Sequence, residues 1–259
     1  MNKLDEIFAF KRRDVERRRA SRPLAEVRAE AADAAPTRGF HRALTSAGRL
    51  ALIAEVKKAS PVTGVLRDDF DPIAITRAYE RAGAECLSVL TDEPYFQGSE
   101  AIFRSIRAAT ATPMLRKDFT VDEYDIYEAR ALGADAVLLI VYGLSQSELV
   151  DFRQIAEGLG MDVLIESHST DEADRALAAG ATLLGVNNRD LTTFEMSVEV
   201  GERILPSYVG RATLVGESAL RSRSDVMRMQ EAGAQAVLIG SAFSESSDIE
   251  ASVRGLMGR

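Results

Sequence analysis

The chain has 259 residues and a formal net charge of −8, an acidic balance that argues against binding nucleic acid through clustered Lys and Arg. Its single cysteine, Cys86, excludes an intramolecular disulfide, and the apolar run 86–90 predicts a buried structural thiol. The longest apolar run, 136–142, is too short to span a bilayer, and the N-terminus has no apolar signal segment. We therefore expect a cytoplasmic protein with neither a membrane nor a nucleic-acid partner.

The first 49 residues predict a helical extension. Basic triplets lie at 11–13 and 17–19. Taken by themselves, they favour an arm that binds nucleic acid or a membrane. Four acidic residues interrupt them: Asp5, Glu6, Asp14 and Glu16. Apolar residues recur at the spacing of one helix face: Leu4, Ile7, Phe8 and Val15. We expect a solvated helix that packs on the rest of the protein through this apolar stripe.

From residue 50 onward one pattern recurs along the chain. A helical stretch ends at a glycine, and a short apolar run follows about two residues later; the glycines are Gly83, Gly133, Gly180 and Gly233. Glycine at this place predicts a left-handed helix C-cap, and the run after it is typical of a strand buried on both faces. Eight strand-like runs result, near 50–57, 86–92, 113–119, 136–142, 162–168, 183–190, 212–218 and 236–243.

Amphipathic segments of helix length separate these runs, for example 72–82, 122–132, 145–159, 170–179 and 222–232. Thr170 with Glu172 and Ser222 with Asp225 are candidate helix caps. Eight such units predict an α/β fold, a (β/α)8 TIM barrel over 50–259, with 1–49 as an additional N-terminal helical segment of the same single domain, 1–259. An open doubly wound sheet is the alternative; its dinucleotide-binding form is weakened because no Gly-x-Gly-x-x-Gly turn follows the first run.

Charged and polar residues collect where the predicted strands end, which is the active-site end of a barrel. Glu55 and Lys57 lie two residues apart and so face the same side of the first strand, where a structural ion pair is one explanation. Further polar residues end four other runs: Lys117, Glu166, Asn187, Arg189 and Glu217. Charges from five strands favour a functional cluster.

The seventh and eighth runs end in Gly216–Ser218 and in Gly240 and Ser241, and loops at these places commonly bind phosphate through backbone N–H groups. The chain has two histidines with no cysteine beside either, so we predict no metal site. We expect His41 to be a packing residue. His168, close after Glu166, is placed either to reach the site or to support it.

Four motifs in order resemble the indole-3-glycerol phosphate synthase family. They are IAEVKKASP at 53–61, SVLTD at 88–92 with YFQGS at 95–99, LRKDF at 115–119 and NNRDL at 187–191. The resemblance covers the whole chain, including its N-terminal helical segment. It implies ring closure of 1-(2-carboxyphenylamino)-1-deoxyribulose 5-phosphate with loss of carbon dioxide and water, in tryptophan biosynthesis and without a cofactor.

The resemblance also implies a role for each residue. Lys117 is expected to be the general acid at the substrate carbonyl oxygen, and Glu166 its partner in proton removal. Lys57 is expected to hold the carboxylate or phosphate end, and Glu55 to orient Lys57 and Lys117. Asn187 completes the catalytic set. The implied substrate-binding residues are Ser60, Phe96, Phe119, Arg189, Glu217, Ser218, Gly240 and Ser241. We further expect a lowered pKa for Lys117, because nearby cations and partial desolvation favour the neutral amine.

Two positions depart from the family pattern. Val62 replaces the usual Ser, and Ala219 replaces the usual Gly, so we expect its methyl group to restrict positive φ and crowd a phosphate. A non-catalytic or specialised phosphate-ligand-binding relative is the alternative function. A sugar-phosphate isomerase would leave Lys57, Lys117 and Arg189 unexplained. The expected partner is a small phosphorylated substrate, and the expected state a monomer or weak homodimer.

Overall fold

The computed structural model describes residues 3–61, 63–67, 69–189 and 196–259. Eight parallel strands form its centre: β1 (Ala51–Val56), β2 (Cys86–Leu90), β3 (Met114–Lys117), β4 (Ala136–Ile140), β5 (Asp162–Ser167), β6 (Leu183–Asn187), β7 (Thr213–Glu217) and β8 (Ala236–Ile239). Each strand pairs with its neighbours in the chain, and β8 pairs with β1, so the sheet closes. The predicted (β/α)8 barrel is confirmed. A small antiparallel hairpin, Ala59–Ser60 with Gly64–Val65, follows β1.

Helices surround the barrel and precede it. In chain order they are α1 (Lys3–Ser21), α2 (Leu24–Asp33), α3 (Phe40–Thr45), α4 (Pro72–Arg81), α5 (Glu93–Phe96), α6 (Glu100–Ala109), α7 (Glu123–Ala131), α8 (Gln146–Gly158), α9 (Thr170–Ala178), α10 (Glu199–Ile204), α11 (Arg223–Glu231), α12 (Ser241–Ser244) and α13 (Ile249–Met257). Short 3-10 turns occupy Val141–Gly143 and Leu205–Tyr208. The helices expected from amphipathic spacing lie within one residue of their predicted bounds. Among the described helices, none has the length and apolar character needed to cross a membrane.

The glycine pattern and the helix caps fix where the elements begin and end. Gly83, Gly133, Gly180 and Gly233 have φ of 82°, 85°, 87° and 105°, which confirms the predicted left-handed C-caps. Ser222 caps α11 with Asp225 in a reciprocal capping box, as expected.

Two predicted boundaries are wrong. Thr170 is the first residue of α9 and not its cap, because the hydroxyl of Ser169 accepts the backbone N–H of Glu172. The eighth strand ends at Ile239 and not near residue 243, because α12 begins at Ser241 directly after Gly240. A helix therefore starts where the sequence pattern suggested the strand continues, and its first turn lies at the mouth of the barrel.

Alternate strand residues face the barrel interior. Ala51 and Ile53 belong to the apolar cluster inside the barrel, whereas Leu52 and Ala54 pack against the surrounding helices. The same alternation on β3 and β5 turns Leu115 and Leu164 inward. Two residues further along these three strands, the interior face carries a charged side chain at the carboxyl-terminal end: Glu55 on β1, Lys117 on β3 and Glu166 on β5. Cys86 is fully buried, which confirms its prediction as a structural thiol.

The N-terminal extension packs on the barrel through its apolar stripe, as predicted. Leu4, Ile7, Phe8 and Val15 are all buried. Phe8 meets Phe119 edge to face, with ring centroids 5.6 Å apart. This contact joins α1 to the loop that follows β3.

The prediction that the basic residues of α1 are solvated is wrong for two of them. Lys11 is buried, and its Nζ lies 2.8 Å from Asp92 Oδ2 and 2.6 Å from Asp118 Oδ1. Arg18 lies 2.6 Å from Glu128 of α7. Both cations are drawn inward because buried carboxylates from the barrel need a counter-charge.

Candidate active site

One pocket opens at the carboxyl-terminal end of the barrel strands. Its lining includes every residue that the sequence singled out for catalysis or substrate binding: Glu55, Lys57, Ser60, Phe96, Lys117, Phe119, Glu166, Asn187, Arg189, Glu217, Ser218, Gly240 and Ser241. The alternation of the strands explains the convergence, because each inward-facing position at a strand end points to the same axis. The pocket is therefore the candidate active site.

Lys117 lies between two carboxylates at the base of this pocket. Its Nζ is 2.8 Å from Glu166 Oε2 and 3.1 Å from Glu217 Oε2. The two glutamate side chains are 5% and 1% exposed, and that of Lys117 is 15% exposed. The ammonium group is thus reachable from the pocket, whereas its two partners are nearly withdrawn from solvent.

The expected lowering of the Lys117 pKa is wrong. Burial alone lowers this pKa, but the negative charges of Glu166, Glu217 and Glu55 outweigh burial and hold it above its usual value. The nearest charged neighbours are carboxylates and not cations, because β5 and β7 each place a glutamate beside the lysine. Lys117 is therefore an ammonium ion at neutral pH, the form that can donate a proton.

The two glutamates beside Lys117 differ in their protonation. Burial raises the pKa of Glu217 to about 8, since the attraction of Lys117 is offset by repulsion from Glu166. Glu166 is equally buried, but the charges of Lys117 and His168 hold its pKa well below the usual value. Glu166 is therefore the more readily ionised carboxylate of the cluster, whereas Glu217 holds a proton more tightly than an ordinary glutamate.

Two glycines make room for buried glutamate side chains of the pocket. A Cβ added at Gly185 on β6 would overlap Glu217 Oε1, and that oxygen is buried without a hydrogen-bond partner among the described residues. Directly after β8, a Cβ at Gly240 would lie 2.5 Å from Glu55 Oε1. Two inward-facing positions therefore lack side chains where a neighbouring strand supplies a glutamate.

A second ion pair stands at the end of β1. Lys57 Nζ lies 2.7 Å from Glu55 Oε1, so the predicted common face of these two residues is confirmed. The Lys57 side chain is 13% exposed and lines the pocket. The pocket thus has a second ammonium group, separate from that of Lys117.

Asn187 and Arg189 extend the polar wall along β6 and its following loop. Asn187 Nδ2 donates to Glu166 Oε1 at 3.1 Å, and Asn187 Oδ1 accepts the backbone N–H of Arg189 at 3.1 Å. Burial and the like charge of Arg221 lower the pKa of Arg189, with Glu55 opposing them. Arg189 and Arg221 therefore bring two guanidinium groups to the lining of the pocket.

The loop after β7 has an uncommon backbone. Ser218 and Ala219 have φ of 63° and 60°, in the left-handed region that favours glycine. Ala219 adopts a positive φ despite the methyl group that we expected to restrict it. Gly240 and Ser241 lie across the pocket at the start of α12. The other departure, Val62, and residues 190–191 of the fourth motif lie outside the described residues.

An aromatic wall closes one side of the pocket. The rings of Phe96 and Phe119 have centroids 6.2 Å apart and planes inclined by 40°. Leu4 and Ile7 of α1 line the same pocket. The wall offers an apolar surface on which a planar ring can lie.

Several pocket residues escaped the sequence reasoning. Arg221 lines the pocket and pairs with Glu245 at 3.1 Å, and only its place after β7 hinted at this. Leu4 and Ile7 were predicted as packing residues, because one helix face cannot show what it covers. Within the described ranges, no group of three or more His, Cys, Asp or Glu side chains is placed to hold a metal ion.

The fold and the site together define an acid–base enzyme of the (β/α)8-barrel class. The chain belongs to the indole-3-glycerol phosphate synthase family, whose family model matches residues 4–256. It is 48% identical over 260 residues to the indole-3-glycerol phosphate synthase of Azoarcus sp. (strain BH72), which covers 98% of both chains. The synthase of Azospirillum brasilense is 47% identical over 257 residues, again with 98% of each chain covered.

Solved structures show the same barrel with different sequences. Thiamine phosphate pyrophosphorylase from Pyrococcus furiosus matches with a TM-score of 0.60 and 17% identity, over 80% of this chain and 93% of that one. A 3-hexulose-6-phosphate synthase matches with a TM-score of 0.61 and 14% identity, over 81% and 99%. At these identities the likeness concerns the fold alone.

Proposed function

We propose that this chain converts 1-(2-carboxyphenylamino)-1-deoxyribulose 5-phosphate into indole-3-glycerol phosphate, releasing carbon dioxide and water. The observation that carries the proposal is the ammonium group of Lys117, held between Glu166 and Glu217 within a pocket whose lining also includes cations and two aromatic rings. Family membership over nearly the whole chain supports the same activity.

Lys117 acts as general acid in the first step. The aromatic carbon that carries the carboxylate attacks the substrate's C2′ carbonyl, a carbon–carbon bond forms, and the carbonyl oxygen takes a proton from Nζ. Because three glutamates keep Lys117 protonated, the acid is loaded before the substrate arrives. The electrons of the bond to the departing carbon dioxide then restore the aromatic ring.

Glu166 acts as base in the dehydration. The new hydroxyl group leaves as water after protonation, and the adjacent C1′ carbon loses a proton to the ionised carboxylate. Glu166 lies 2.8 Å from Lys117, so the proton that it collects can return to the acid. Each turnover then donates two protons and recovers one, and solvent supplies the difference.

The cations and the loops of the pocket suit a substrate with two anionic ends. Lys57 and Arg189 offer positive charge to the carboxylate end. Ser218, Gly240 and Ser241 surround the space where the phosphate fits, on the loops after β7 and β8. The anthranilate ring then lies on the aromatic wall of Phe96 and Phe119.

The cellular setting follows from the same reasoning. We expect the protein to act in the cytoplasm on a small phosphorylated substrate, as a monomer or weak homodimer, without a nucleic-acid partner. The net charge of −8 supports the last point. Sedimentation equilibrium over a range of concentrations tests the oligomeric state, and a stable tetramer would contradict it.

The direct experiment follows indole fluorescence while the purified chain acts on the carboxyphenylamino-deoxyribulose phosphate. The chain contains no Trp, so the protein contributes little background. Carbon dioxide release is recorded in parallel, since an isomerase would give none. The Lys117→Ala variant, purified identically, controls for a contaminating host enzyme. Substrate binding without either product would instead identify a non-catalytic relative.

A further inference from the structure

His168 lines the pocket beside Glu166, just after the end of β5, and takes no part in the steps above. Its side chain is 8% exposed. Nε2 lies 3.3 Å from Glu166 Oε1, and Nδ1 lies 3.2 Å from Glu172 Oε2. The imidazole ring therefore stands between two carboxylates, one inside the pocket and one on α9.

Glu172 is itself held in place. Its Oε2 accepts the backbone N–H of His168 at 2.8 Å, and its own backbone N–H donates to the capping hydroxyl of Ser169 at 3.2 Å. With Nδ1 directed to this fixed carboxylate, Nε2 must face Glu166. Burial lowers the pKa of His168, but the two glutamates outweigh burial and raise it to about 9. The ring is therefore an imidazolium ion at neutral pH.

Other groups reach Glu166 from three further strands. Lys117 on β3 lies 2.8 Å away, and Asn187 on β6 donates at 3.1 Å. Glu217 on β7 shares Lys117 with Glu166 and repels it when ionised. One lysine therefore serves two buried carboxylates, and His168 is the second cation in contact with Glu166.

We propose that His168 is a positioning residue for the reaction: braced by Glu172, it holds Glu166 as a carboxylate turned toward the pocket, ready to accept the substrate proton. The inference rests on the proposed function for its kinetic consequences. Its structural part, the charged contact between His168 and Glu166, stands independently of any particular substrate.

Kinetics of His168→Gln and His168→Ala test the role. Gln keeps a donor near the Nε2 position without the charge, and Ala removes both. We expect kcat to fall roughly 10- to 100-fold in the Ala variant, as loss of one charged contact to the base in the transition state implies, with KM little changed. Gln should recover part of the loss. His41→Gln is the matched control, since His41 contacts Thr213 at the opposite end of the barrel, 2.8 Å away, and should leave kcat unchanged.

The pH profile separates positioning from a general structural effect. Glu166 must be ionised, and its lowered pKa keeps it so into acid in the wild type. Removing the imidazolium raises that pKa, so the acidic fall in kcat should move to higher pH in both variants. An unchanged kcat with an unchanged acidic limb would overturn the proposal.

Imidazole titration by NMR gives a readout that needs no turnover. The chain has two histidines, and the two Gln variants assign their signals. His168 should titrate near 9 in the wild type, and Glu172→Gln should lower this pKa. Titration near the ordinary 6.5, unaffected by Glu172→Gln, would overturn the inference even if turnover is normal. If His168 shows the shifted titration but the protein has no turnover, the proposed function is wrong and the contact between His168 and Glu166 stands. If His168→Ala fails to fold, the wild-type and Glu172→Gln titrations still decide.

Discussion

The substitution Gly185→Ala tests whether the space beside Glu217 is required. The added Cβ would overlap Glu217 Oε1 and lie 3.3 Å from Leu164 Cδ1. Glu217 must therefore shift its carboxylate to make room, and we expect its 3.1 Å contact with Lys117 to break. Overpacking costs about 1–3 kcal/mol and loss of a charged hydrogen bond about 1.5–3 kcal/mol. Alanine also makes the unfolded chain less flexible, which stabilises the folded protein by only about 0.4–1 kcal/mol.

The net expectation for Gly185→Ala is destabilisation by about 2–5 kcal/mol, together with a lower kcat. Urea unfolding followed by circular dichroism measures the first, and the fluorescence assay the second. Gly255→Ala is the matched control: apart from its chain neighbours and the backbone of its own helix, no described atom lies within 4 Å of its added Cβ, in the interior of α13. It should stabilise the protein by about 0.5–1 kcal/mol. A Gly185→Ala variant as stable and as active as the wild type would refute the packing argument.

Three further variants test other parts of the pocket. Ala219→Gly removes the strain of a left-handed alanine, which costs about 1–2 kcal/mol of stability. The greater freedom of glycine in the unfolded chain opposes this gain by about 0.5–1 kcal/mol. Urea unfolding should show slight stabilisation, with kcat intact and KM equal or lower. Arg221→Ala removes an exposed cation at the rim, so steady-state kinetics should show KM raised roughly two- to fivefold and kcat unchanged. Glu217→Gln removes a carboxyl whose folded pKa, about 8, exceeds its unfolded value. The raised pKa stabilises the folded protein fully at pH values below the unfolded pKa, and this stabilisation is lost as pH rises through about 8. The free energy of unfolding should therefore vary less with pH in the variant than in the wild type.

Each of these predictions has a contrary outcome. A large loss of kcat in Ala219→Gly would mean that the methyl group helps to shape the phosphate loop. An unchanged KM in Arg221→Ala would place that guanidinium outside the substrate's reach. If wild type and Glu217→Gln lose stability in parallel between pH 5 and 8, Glu217 is ionised throughout that range, and the raised pKa is wrong.

The barrel was predictable because its signals are local. Each left-handed glycine and the apolar run after it lie within ten residues, as at Gly133 and β4. The period of two along a strand then placed Lys117 and Glu166 on the interior face. The end of β8 was mispredicted, because residues 240–243 are apolar or small and carry no signal that separates a strand from a first helical turn.

The electrostatics of the site were not predictable in the same way. The sequence places Lys117 near both lysines and glutamates, but the register between strands decides which of them touch it. The structure places Glu166 and Glu217 against its Nζ, which reverses the expected direction of its pKa. Lys11 was misjudged for a related reason: Asp92 and Asp118, its partners, lie 81 and 107 residues away along the chain.

The most direct test of the account compares Lys117→Ala with Lys58→Ala in the fluorescence assay. Both variants remove a lysine near the carboxyl-terminal end of the strands, but Lys58 does not line the pocket within the described residues. Because a general acid acts in the transition state, Lys117→Ala should lower kcat about 10²- to 10⁴-fold with a smaller change in KM. Lys58→Ala should turn over at the wild-type rate. Wild-type kcat in Lys117→Ala, or an equal loss in both variants, would contradict the assignment of Lys117 as the acid.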